Sequence, residues 1–186
     1  MITFKAAYVT NAVIQEKINS EYRPYIASVV ELDTKSKTDI QALREIDSLW
    51  NEHNTFANYL YRCALKQSDI YTPTNSKSKF YAVTKQKTDF LNLIPDEVLG
   101  LLQFNPKAGY KDALGEIQIL QVKPEYAQYS PNRYYKHIGT SLLNFIKSKF
   151  KNLSLILVPS LNSKEFYKKN DFEYLSQFNK MLYKAK

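Results

Sequence analysis

The run Gly115-Glu-Ile-Gln-Ile-Leu-Gln-Val122 constrains the fold most, because its aliphatic residues alternate with polar ones until Lys123-Pro124, where proline ends a ladder. It reads as a strand with Ile117 and Ile119 on one face and Glu116, Gln118, Leu120 and Val122 on the other. Further on, Ile138, Leu142, Phe145 and Ile146 recur at helical spacing and predict an amphipathic helix that reaches about Phe150 and ends among lysines. Leu153-Ser-Leu-Ile-Leu-Val158 reads as a buried strand. Asn162 is placed to cap a short helix carrying Phe166 and Tyr167, and Phe172–Leu175 and Phe178–Tyr183 read as two short strands.

Upstream, Tyr25–Leu32 has strand composition and pairs with an earlier strand near Ala6–Gln15. Thr38-Asp-Ile-Gln41 has the spacing of a capping box, and Ile40, Leu43, Ile46, Leu49 and Trp50 then share a helix face. After a polar break at Asn51–Thr55, a second helix sets Phe56, Tyr59, Leu60, Cys63 and Ala64 on one face. A turn-rich stretch, Thr72–Ser78, leads into Phe80–Thr84, which forms a hairpin with Val98–Phe104. Strands, then strand, helix, strand, helix and strands make an α+β or mixed α/β domain, and 186 residues suit one such unit.

With four glycines against seven prolines, a glycine-rich phosphate loop of the usual kind is excluded. A single cysteine, Cys63, rules out an internal disulfide and a multi-cysteine metal site, and neither His53 nor His137 has the partners of a metal site, so no metal is expected. The N-terminus lacks a signal-peptide pattern and the longest strongly apolar run, Leu155–Val158, cannot span a bilayer; a soluble, cytoplasmic protein with no membrane partner is expected. Charge is skewed: residues 131–186 hold 11 Lys/Arg against 3 Asp/Glu, whereas residues 1–130 are balanced at 15 each. Something anionic is therefore expected at the C-terminal end, whether a phosphate-bearing cofactor, nucleic acid or an acidic partner.

Three stretches, in order and at matching spacing, resemble the GNAT superfamily of acetyl-CoA-dependent N-acetyltransferases over roughly residues 80–183. Glu116–Tyr126 looks like the family's fourth strand and following turn. Tyr134-Tyr-Lys-His-Ile-Gly-Thr-Ser-Leu-Leu143 is similar to its pyrophosphate-binding loop and helix, Q/R-x-x-G-x-G/A. Asn162-Ser-Lys-Glu-Phe-Tyr-Lys-Lys-Asn-Asp-Phe172 resembles its Asn, Phe-Tyr and Gly-Phe-like ending. The chain departs from the pattern at Tyr134, at His137 in place of the first glycine, at Asn170-Asp171, and in an insertion-like Ala127–Arg133.

The resemblance implies a central mixed sheet of about six to seven strands flanked by about four helices. Residues 1–79 would supply N-terminal strands and substrate-side helices, and residues 80–186 the acyl-CoA-binding core. Acetyl-CoA would be held by Leu120, Gln121, Val122, Arg133, Lys136, His137, Ile138, Gly139, Thr140 and Asn162. Tyr167 would act as catalytic acid and Glu116 as general base, for direct transfer to a primary amine of a small molecule or protein. The alternative is a catalytically degenerate module that binds acyl-CoA, RNA or protein. Homodimerisation is open, and a nucleic-acid contact is not favoured.

Overall fold

The computed structural model describes residues 6–50, 56–68, 78–108, 114–131 and 133–185. Strands β1 (Ala7–Ile18) and β2 (Glu21–Leu32) pair antiparallel along their length. Their two-residue turn, Asn19-Ser20, has φ of 48° and 72°, the left-handed backbone whose twist suits a tight hairpin. Helices α1 (Lys37–Trp50) and α2 (Ala57–Ser68) follow, then β3 (Lys79–Thr84), β4 (Val98–Asn105), β5 (Leu114–Val122), β6 (Tyr135–Lys136), α3 (Ile138–Lys149), β7 (Ser154–Leu157), α4 (Lys164–Lys168), β8 (Glu173–Leu175) and β9 (Lys180–Tyr183).

The strands form one sheet in the order β6-β1-β2-β3-β4-β5-β7-β9-β8, antiparallel throughout except for β5 against β7. The class is mixed α+β, as expected, with nine strands among the described residues instead of six to seven. The unforeseen strand is β6, which lies inside the stretch read as a phosphate-binding loop and pairs with Gln15 and Glu16 of β1.

One face of the sheet packs on α3 through residues such as Tyr81, Leu102, Ile117, Leu142 and Tyr167, all buried. The other packs on α1 and α2 through Val30, Leu43, Trp50, Leu60 and Leu101. Fully burying each such side chain contributes about 1.5–3 kcal/mol. Gly100 sets the depth of α3: a Cβ there would stand 2.7 Å from Cγ2 of Ile138 and 3.2 Å from Cδ1 of Leu142.

Three local expectations are corrected. The cap of α1 is Ser36 rather than Thr38: the Ser36 hydroxyl accepts the Asp39 N–H at 3.3 Å, and its carbonyl accepts the Ile40 N–H. On α2 the buried face is Ala57, Leu60 and Ala64, while Phe56 and Tyr59 are exposed and Cys63 is half-buried, because small residues let the helix lie close to the sheet. On β5 the even face parity is broken by a bulge. Gln103 pairs with Ile119 and Phe104 with Ile117, leaving Gln118 as the extra residue. Ile117 therefore packs with the α3 side and Ile119 with the α1–α2 side.

Candidate active site

The bulge bends β5 where its second neighbour leaves it. Strand β7 pairs with β5 only through Leu114–Glu116, against Ser154–Ile156, although β5 runs on to Val122. Beyond Glu116 the edge of β5 that faces β7 has no strand partner among the described residues, and this open edge is called the wedge. Past the bulge, half-buried Leu120 and Val122 pack toward the α3 side. Gln121 serves the other side: its Oε1 accepts the Phe56 N–H at 3.4 Å and its Nε2 donates to the Val122 carbonyl at 2.8 Å.

The N-terminus of α3 borders the wedge. Its first intrahelical bond runs from the Ser141 N–H to the His137 carbonyl, and no side chain caps the helix, so the N–H groups of Ile138, Gly139 and Thr140 have no intrahelical acceptor. Such a terminus carries partial positive charge and suits a phosphate group. The loop before it is fastened to the β1 edge by the Lys17 N–H on the Tyr134 carbonyl (2.8 Å) and by the Ser141 hydroxyl on the Val13 carbonyl (2.6 Å).

Two positions where the resemblance expects glycine keep the backbone that glycine favours. His137 has φ 63° and ψ 15°, and Asp171 has φ 64°. At Asp171 the strain is held by Lys147, whose ammonium pairs with the Asp171 carboxylate at 3.1 Å and donates to the Asn170 carbonyl. At His137 the side chain is exposed and no hydrogen bond compensates. Left-handed backbone costs a non-glycine residue about 1–2 kcal/mol, partly offset by the greater unfolded-state freedom of glycine. His137→Gly is therefore expected to raise stability by about 0.5–1 kcal/mol in urea titration; a loss would mean that the imidazole makes a stabilising contact.

Gly139 is buried, and a Cβ on it would meet the Phe166 ring at 3.0 Å and Leu120 at 3.4 Å. Its missing side chain thus lets α3, α4 and β5 converge at the wedge. Ile138 belongs to the core, and Thr140 is half-buried. The basic residues are differently engaged. The Lys136 ammonium lies 3.5 Å over the Tyr22 ring, and half-buried Arg133 offers its backbone carbonyl to the Tyr22 hydroxyl at 2.6 Å. Asn162 is exposed, and the cap position of α4 falls to Ser163, without a side-chain cap bond, which corrects the expected Asn162 cap.

Tyr167 is 7% exposed, its ring edge-on to Phe166 and Phe172. Burial pushes its hydroxyl up to about 12, so it holds its proton across the physiological range. Glu116 is half-buried, opposite Asn105, and precedes the point where the wedge opens. Tyr167 belongs to the α3 side of the sheet, and Glu116, out of phase with Ile117, stands on the other side. They lie on opposite faces of the sheet, and no hydrogen bond joins them among the described residues.

His53 and all of the Thr72–Ser78 turn except Ser78 lie outside the described residues. Among the described residues there is no cluster of His, Cys, Asp or Glu that could hold a metal, and no helix is long and apolar enough to cross a membrane. A cavity of about 690 Å³ lies at the far end of α3, lined by Glu31, Lys79 and Lys149 among others, and contains none of the candidate residues. Reading the sequence alone missed Gln103 and Lys147. The first is the only polar residue within the run Val98–Phe104, which was its available signal.

No family model and no curated protein matches the sequence. Among solved structures the chain is similar to the crystal structure of Tetrahymena GCN5, with a TM-score of 0.47 and 14% identity over 81% of this chain and 94% of that one.

Proposed function

We propose that the chain transfers an acetyl group from acetyl-CoA to a primary amine. The observation that carries this reading is the uncapped, left-handed entry into α3 beside the wedge between β5 and β7, on the residues whose order resembles the acetyltransferase motifs. The residues present fit the cofactor: the N–H groups of Ile138, Gly139 and Thr140 suit a pyrophosphate, and the main chain of Leu120–Val122 lies on the open side of β5. When bound, acetyl-CoA supplies an acetyl group activated as a thioester.

The protein's own groups have two tasks. An amine with a pKa near that of lysine, about 10.4, arrives protonated, and Glu116 can accept the proton at its carboxylate before attack. Tyr167 holds a phenolic proton at Oη for the departing sulfur. The two groups lie on opposite faces of the sheet, and this reading assigns them to opposite ends of one transfer. No cysteine is required, and half-buried Cys63 on α2 is left outside the chemistry.

A second reading, a binding module of this fold without catalysis, draws on Lys136, whose charge is engaged with Tyr22 instead of facing the helix terminus. Calorimetric titration of the folded protein with acetyl-CoA separates the outcomes. Saturable binding in the micromolar range, followed by amine acetylation, is expected. Binding without transfer to any amine favours the second reading, and no binding up to about millimolar concentration sinks the cofactor assignment itself.

A further inference from the structure

On the α1–α2 side of the sheet, three polar side chains form a bracket that the chemistry above does not use. The Oε1 of Gln118, the bulged residue of β5, accepts from Gln103 Nε2 at 2.8 Å and from the Ser78 hydroxyl at 2.6 Å. The Ser78 carbonyl in turn accepts from Gln67 Nε2 at 2.8 Å, which braces the bracket from the end of α2. With two donors on one oxygen, the Gln118 amide is fixed, and its NH2 group faces outward. Gln118 is exposed, and its Nε2 makes no hydrogen bond among the described residues.

Gln103 is only 4% exposed, and its Oε1 is buried without a donor among the described residues. Turning both amides over would leave the buried Gln103 NH2 with unmet protons instead, which is the costlier orphan. A buried acceptor without a partner costs about 1–3 kcal/mol, so stability alone does not account for a glutamine here; a leucine would fill the strand interior better. What the arrangement gains is a rigid donor on the same strand and side as Glu116. Two residues along a strand separate these groups by roughly 6–7 Å.

We infer that Gln118 is a specificity-determining residue that donates a hydrogen bond to a carbonyl oxygen of the acceptor, so that the preferred substrates are amines bearing a carboxamide or peptide group, not plain alkylamines or polyamines. The inference deepens the acetyltransferase reading and rests on it for the side on which the acceptor sits. Gln103 acts as a positioning residue, through Gln118. Glu116 and Gln118 together then recognise an amine and a carbonyl a few bonds apart.

The test compares 5-aminopentanamide with n-pentylamine, which share the amine and chain length and differ in the carboxamide. Both kcat/KM in the presence of acetyl-CoA and equilibrium binding by ligand-observed NMR are measured for the wild type, Gln118→Ala and Gln103→Leu. The wild type is expected to prefer the carboxamide about tenfold, the worth of one well-placed hydrogen bond. In Gln118→Ala that ratio falls to within about twofold of unity. Gln103→Leu, which frees the amide to rotate, lowers the ratio mainly through KM. A wild-type ratio near one, or a preference that survives Gln118→Ala, overturns the inference even if acetyl transfer is brisk. A binding preference that is lost in Gln118→Ala, in a protein that transfers nothing, upholds the bracket and sinks the acetyltransferase reading instead.

Discussion

Replacing Tyr167 by phenylalanine lowers kcat by about a hundredfold or more while the affinity for acetyl-CoA changes less than about threefold. The ring lies between Phe166 and Phe172, and its contacts there are aromatic edges that phenylalanine keeps. Its hydroxyl makes no side-chain hydrogen bond among the described residues, so little stability is lost with it. What disappears is a proton held, by burial, up to about 12. An acid with so high a value stays protonated throughout the range in which the protein can be assayed. The pH profile of the wild type should accordingly show no alkaline loss from Tyr167 below about pH 10. If Tyr167→Phe instead weakened cofactor binding and turnover equally, and lowered the melting temperature, the residue would be a packing element of the α3 side. Glu116→Gln offers the matching control, because it removes the proposed proton acceptor and should lower kcat while leaving acetyl-CoA affinity unchanged.

The long elements were legible because their periodicity is decided by burial. Ile138, Leu142, Phe145 and Ile146 on α3 are buried as their helical spacing requires, and the strand composition of Tyr25–Leu32 is met by β2. What escaped was settled by single residues answering to tertiary neighbours. A bulge costs one residue and leaves no mark in an alternating sequence, so Gln118 and Ile119 read as opposite when both serve the α1–α2 side. Small Ala57 and Ala64 outrank Phe56 and Tyr59 for the buried face of α2, since fit against a sheet, more than hydrophobicity, chooses the residue that goes in.

Glycine patterns failed in a different way. His137 and Asp171 depart from the acetyltransferase pattern by residue name, yet both adopt the left-handed backbone that glycine favours. Within the proposed site, Gly139 and Tyr167 were singled out by the order of residues. The bracket of Ser78, Gln103 and Gln118 was not, because it joins strands far apart in the chain by side chains that carry no motif.

Stability at the start of α1 should fall as pH rises, against the usual direction for an acidic residue. Asp39 is 1% exposed, and burial pushes its carboxyl from 3.8 up to about 6. The negative charge of Asp33 adds to the rise. The N–H groups of Asp33, at 2.8 Å from Oδ2, and of Ala6, together with the Ser36 hydroxyl, act the other way without cancelling it, and Oδ1 is buried without a partner. A folded state that holds the proton more tightly than the unfolded chain gains stability that is complete below about pH 4 and lost as pH rises through about 6. The shift corresponds to at most about 3 kcal/mol, and with solvent screening near the helix end to roughly 2 kcal/mol. Other carboxylates act in the opposite sense: although burial pushes Glu31 up, Lys79 and Lys149 hold it below its ordinary range. The difference between two chains therefore isolates Asp39 better than the wild-type curve does. Asp39→Asn keeps an oxygen for the Asp33 N–H and carries no charge at any pH. Urea midpoints at pH 4.5 and 7.5 should show the variant gaining on the wild type by roughly 2 kcal/mol between the two. Asp39→Ala, which loses the oxygen as well, should fall below Asp39→Asn by about 1 kcal/mol at both. Parallel pH curves for the wild type and Asp39→Asn would mean that the carboxylate is solvated in the folded state and that the helix start is held by Ser36 alone.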